Sequence, residues 1–158
     1  MEQQIDDLTE RERAWIQFQL EAASQFVAAH SPDDAGEPLT LAALDRAWSA
    51  WLGTQETDSD TVNAAINAVG VAFGQFLVEG AGLRWVIAAD AQGTDLAVYG
   101  FPGAGDVLVY PANFVAKRWK RQEADFLERA YEAIIHDVGA IRQQCAGAAK
   151  QKPWWKFW

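Results

Sequence analysis

At 158 residues the chain has the length of one domain, and with half its residues hydrophobic and 22% charged it is neither a wholly disordered nor a fibrous polypeptide. A formal net charge of −9 weighs against nucleic acid as a partner, because that binding draws most of its affinity from Lys and Arg on phosphates. The charge is uneven, with 13 acidic against 3 basic side chains in residues 1–60 and 5 against 9 in residues 111–158. Such polarity fits complementary helices packed together, or an acidic face offered to a basic partner.

In chain order, the acidic start Met1-Glu2-Gln3-Gln4-Ile5-Asp6-Asp7 has neither the basic region nor the apolar run of a signal peptide. The single Cys145 leaves no internal disulfide, and together these features lead us to expect a cytoplasmic protein. Thr9-Glu10-Arg11-Glu12 has capping-box form and opens a helix whose Ile16, Leu20, Ala23 and Val27, flanked by Trp15, Phe18, Ala22 and Phe26, make a broad apolar stripe ending at His30-Ser31-Pro32. Thr40 caps a second helix carrying Leu41, Leu44, Trp48, Trp51 and Leu52, with Gly53 as its stop. The polar turn Thr57-Asp58-Ser59-Asp60 starts a third, apolar one through Val62, Ile66, Val69, Phe73 and Leu77. Gly70 and Gly74 interrupt it at about 1 kcal/mol each relative to Ala, a spacing that predicts a backbone packed closely against that ridge.

From Leu83 the period changes. Residues 83–88, 95–99 and 107–110 are short, β-branched and aromatic runs separated by Asp90-Ala91-Gln92-Gly93 and Gly100-Phe101-Pro102-Gly103-Ala104-Gly105, which predicts an antiparallel meander of three strands. Pro111 suits the first turn of a helix, and Phe126, Leu127, Ala130, Tyr131, Ile134, Ile135, Val138 and Ile141 trace the stripe of a long one. The expected fold class is α+β: three N-terminal helices, the meander, a long C-terminal helix and an aromatic tail, with residues 1–150 as a single domain and 151–158 as the tail. No stretch reaches the roughly 18 consecutive apolar residues of a membrane span.

The pattern Trp85-Val86-x-x-x-Asp90-x-x-Gly93-Thr94-Asp95-Leu96-Ala97-Val98, followed by Tyr110-Pro111-x-x-Phe114-Val115-x-Lys117-Arg118, resembles a family of uncharacterised bacterial domains described only as a domain of unknown function. The resemblance runs from about Leu39 to Arg121. It implies a bacterial origin and a compact α+β domain, and carries no established activity or catalytic residue with it.

Chemistry-bearing patterns are sparse. His30 and His136 are isolated, without a second His or Cys at ligand spacing, so no metal site is expected. Asp90-Ala91-Gln92-Gly93-Thr94-Asp95 lacks the alternating ligands and terminal Glu of a calcium loop, and its carboxylates read as hairpin-turn residues. The 100–105 loop leads into a strand rather than a helix, which argues against a phosphate cradle and leaves no cofactor expected. Lys117-Arg118-Trp119-Lys120-Arg121 is followed at once by Glu123, Asp125 and Glu128, so it reads as a helix-end cluster rather than a nucleic-acid patch.

The tail Lys152-Pro153-Trp154-Trp155-Lys156-Phe157-Trp158 puts Trp154, Trp155, Phe157 and Trp158 forward as partner-binding residues. Burying four such side chains gains about 6–12 kcal/mol, which the backbone entropy of fixing some seven residues nearly offsets. Docking therefore needs a matching groove, on the chain itself, on a protein partner or second copy, or less favourably at a membrane interface. The reading this supports is a non-catalytic acidic protein-interaction module, an immunity-type or chaperone-type neutraliser being its sharper form by analogy. The competing reading is a small hydrolase-like enzyme with Asp90, Asp95 and Lys117 at the sheet edge.

Overall fold

In the computed structural model the chain is described over residues 4–91 and 93–151, with side chains to Gln144. Five α-helices and a four-stranded antiparallel sheet follow in the order β1 (Gln4–Asp6), α1 (Glu10–His30), a 3-10 turn (Pro32–Asp34), α2 (Leu41–Leu52), α3 (Ser59–Ala81), β2 (Arg84–Asp90), β3 (Gly93–Gly100), β4 (Val107–Val109), α4 (Pro111–Lys120) and α5 (Leu127–Gln151). The α+β class and the long C-terminal helix are as expected. The meander is β2-β3-β4, and a fourth strand, β1, adds to its free edge through Gln4↔Ala89, Ile5↔Ala88 and Asp6↔Ile87. One apolar residue in three gave β1 no alternation to read.

The helix starts are chemically distinct. Thr9 precedes α1, but its hydroxyl makes no capping bond, so the expected capping box places the start without closing it. Thr40 Oγ1 accepts from the Ala43 amide at 3.0 Å, and Asp58 Oδ2 from the Thr61 amide at 3.0 Å. α5 receives its cap from another helix: Asp45 of α2, 7% exposed, accepts from the Leu127 amide at 2.9 Å through Oδ1 and the Glu128 amide at 3.1 Å through Oδ2. Two otherwise orphaned donors are thus satisfied from 82 and 83 residues away. Beside it, the indole N–H of the fully buried Trp48 donates to the Glu123 carbonyl at 2.9 Å, tying α2 to the loop before α5.

α3 is the central element. It has the length and hydropathy of a membrane span, yet 61% of its most apolar window is buried inside the fold, against α1, α4 and α5. The two glycines do what their spacing predicted. A Cβ on Gly70 would stand 2.7 Å from the Ala112 Cα, and one on Gly74 would run into the Trp85 ring and lie 2.8 Å from Pro111 Cγ. The start of α4 and the Trp85 indole are therefore seated directly on the α3 backbone. Trp85 is further held by its indole N–H, which donates to Gln75 Oε1 at 2.9 Å.

Strand parity divides the sheet. Trp85, Val98, Val107 and Val109 belong to the face that packs with the helices, while Val86, Ala88 and Ala97 lie on the other, covered by Ile5, Tyr99, Leu108 and Tyr110. Tyr99 donates to Asp106 Oδ1 at 3.1 Å, and burial followed by this carboxylate raises its phenol above the ordinary range. The β3–β4 loop bends through Phe101, Gly103, Gly105 and Asp106, all at positive φ.

At the α1–α2 junction the Arg46 guanidinium grips Asp34 through Nε at 2.9 Å and Nη2 at 2.7 Å, and the Ser31 hydroxyl donates to the same carboxylate at 2.5 Å. Arg46 first, then Ser31, hold the Asp34 carboxyl down to about 2. A carboxylate favoured in the folded chain stabilises above the unfolded value of about 3.9 and loses that contribution as pH falls towards 2. Asp34→Asn is accordingly expected to lower the urea midpoint at pH 7, with the gap to the parent closing between about pH 4 and pH 2. A pH-independent gap would sever the stabilisation from this carboxylate.

Candidate functional site

The hairpin register Asp90↔Gly93 and Ala88↔Asp95 sets Asp90 and Asp95 on one face of the sheet. Both are exposed, and they line a shallow depression of about 200 Å3 with Thr94, Tyr110 and Asn113. Asp95 Oδ1 accepts from the Leu96 amide at 2.9 Å, the local turn bond expected of it. Lys117 lies on the face of α4 that carries Asn113, one turn further on, exposed and outside the lining. The sequence-derived trio thus resolves into two neighbouring carboxylates open to water and a lysine beyond their depression. Acid-base work needs such groups within hydrogen-bond reach of one reacting atom.

A concavity of about 700 Å3 separates α2 from α5, bordered by Asp45, Arg46, Asp125, Glu128, Arg129 and Glu132. Its principal charges are engaged in holding the fold: Asp45 caps α5, Arg46 binds Asp34, and Arg129 Nε donates to the Asp125 carbonyl at 2.7 Å. The four tail aromatics, Trp154, Trp155, Phe157 and Trp158, lie outside the described residues.

The surface feature that the sequence reading missed is on α1. Trp15 is 38% exposed and Phe18 68%, although both flank the line Ile16, Leu20, Ala23 and Val27 in the broad apolar stripe expected of this helix. The buried residues of α1 are Ile16, Gln19, Ala23 and Val27. At 3.6 residues per turn, Phe18 lies on the far side of the helix from that line and Trp15 on its flank. The ring contact that joins α1 to α2, Phe26 with Trp51 at 5.9 Å, falls two turns beyond Phe18. A 12-residue α2 cannot cover a 21-residue α1 along its length, and the difference between the two predicted lengths was the available signal. The resulting patch comprises Ala14, Trp15 and Phe18, with Arg11 inside it, Glu10 and Glu21 along its border, and Ala22, partly buried against the core, at its C-terminal end.

A family model described as a domain of unknown function, DUF3806, matches residues 44–131, more than half of the chain. The match runs from α2 into the first turns of α5 and leaves β1 and α1 outside it. No curated protein and no solved structure matches.

Proposed function

The chain belongs to the DUF3806 family of domains of unknown function, and we propose that it acts as a non-catalytic protein-binding module whose docking face is the N-terminal half of α1. The exposure of Trp15 and Phe18, three residues apart on one helix, carries this reading. Aromatic side chains dominate the energetics of protein interfaces, and a helix presents anchors at i, i+3 and i+7 to a partner's groove. Trp15, Phe18 and the partly buried Ala22 have that spacing, with Arg11 one turn before Trp15. The acidic border, with the excess of acidic residues in positions 1–60, favours a partner whose apolar groove is flanked by basic side chains.

The test uses immobilised full-length chain and its Trp15→Ala/Phe18→Ala variant, exposed to native host lysate and read by quantitative mass spectrometry. Each large apolar anchor contributes about 1.5–3 kcal/mol when buried, so a specific partner is expected to be retained at least about tenfold less by the variant. Asp90→Asn/Asp95→Asn should retain it fully. A preparation lacking residues 153–158 separates the helix from the tail. Equal retention by parent and folded double variant would remove α1 as the docking face.

A further inference from the structure

On the opposite flank of α1 from Trp15 and Phe18, a cavity of about 380 Å3 opens between the N-terminal segment, α1, α3 and β2. Its volume falls in the range of roughly 300–1,000 Å3 common to small-molecule sites. Leu8, Ile16 and Trp85 supply apolar walls, and Arg13, Arg84 and Gln75 supply donors. One wall is built to stay in place. Trp85 is wedged on the bare backbone of Gly74, its indole N–H is taken by Gln75 Oε1, and the Gln75 amide nitrogen donates to Glu79 at 3.3 Å. Such a pre-set surface loses little freedom when a ligand arrives.

The cations are disposed differently. The Arg13 side chain has no ion-pair partner among the described residues although the chain has a net charge of −9. Arg84 Nη1 meets Asp7 Oδ1 at 2.8 Å, with the two side chains 57% and 84% exposed. An ion pair that open to water contributes little and exchanges readily. Asp7 shows that a carboxylate reaches the Arg84 guanidinium beside the cavity, whose lining includes both residues.

We infer that the cavity binds a small carboxylic acid with an aromatic or aliphatic body, the body lying against Leu8, Ile16 and Trp85 and the carboxylate between Arg13 and Arg84. The test titrates the full chain, labelled with nitrogen-15, with 3-phenylpropionate and with its neutral isostere 3-phenylpropanamide, following the Trp85 indole N–H signal, assigned with Trp85→Phe. The acid is expected to shift that signal with a Kd of about 1 mM or below, and the amide to bind about tenfold more weakly. Arg13→Gln should weaken the acid about tenfold and leave the amide unchanged. Asp7→Asn, which removes a competing carboxylate, should strengthen the acid, an effect that a purely structural role for Asp7 would not produce. A peptide ending in a free Phe carboxylate should bind no more tightly than the acid; a tenfold advantage would move the source to a protein terminus. Equal binding of acid and amide, or no shift of the indole signal by either, would overturn the inference. The outcome is independent of partner capture by α1, which uses other residues.

Discussion

Replacing Trp48 with alanine is expected to lower the unfolding free energy by about 3–5 kcal/mol, the range for deleting a fully buried aromatic side chain. The ring lies between α2 and the start of α5, with Trp51 at 5.1 Å and Phe126 edge-on at 5.7 Å, so neighbouring elements cannot collapse into the space without losing their own contacts. In a chain of this length the loss corresponds to a fall in Tm of roughly 6–20 °C. Trp48→Phe divides the effect. It keeps most of the apolar area but leaves the Glu123 carbonyl without its 2.9 Å donor, which accounts for about 1–2 kcal/mol. Urea unfolding of the three proteins measures both parts. A loss below about 1 kcal/mol in Trp48→Ala would contradict the packing described here.

Asp45→Ala is expected to destabilise by about 2–4 kcal/mol, more than an ordinary surface cap, because it strips the acceptor from two amides at a buried helix start. The Leu127 and Glu128 amides should then exchange with solvent faster than the α5 interior. Asp45→Asn, which retains one carbonyl acceptor, should recover part of both effects. If the alanine variant exchanges at Leu127 and Glu128 as the parent does, the cap is supplied by something other than Asp45.

Much of the fold was legible because local chemistry and packing agreed. Gly70 and Gly74 are costly in a helix, and the reason, α4 and Trp85 pressed on the backbone, matches the expectation their spacing raised. Pro111 at the start of α4 and Asp58 at the start of α3 were equally direct. Where the reading failed, partner geometry decided. Periodicity places Trp15 and Phe18 beside an apolar line without saying how far along α1 its neighbours extend. Asp45 illustrates a signal present but unread: it stands four residues after Leu41 and three before Trp48, on the buried face of α2, where an acid needs a partner. For the candidate site the sequence located Asp90 and Asp95 near each other but could not place Lys117 relative to them, since that depends on how α4 crosses the sheet.

The attachment of β1 has a kinetic consequence. Three paired residues, the half-buried Ile5 packed with Val86, Ala88 and Ala97, and one solvent-exposed ion pair hold this strand, whereas β2 and β3 are joined over seven pairs. Its detachment is a local event, separate from melting of the helical core and requiring far less free energy. Asp7 and Leu8 continue directly from the strand into the rim of the cavity. Lifting of the N-terminal segment on its own timescale would therefore remove one side of the cavity, Asp7 and Leu8, while Arg13, Ile16, Gln75, Arg84 and Trp85 stay in place on α1, α3 and β2.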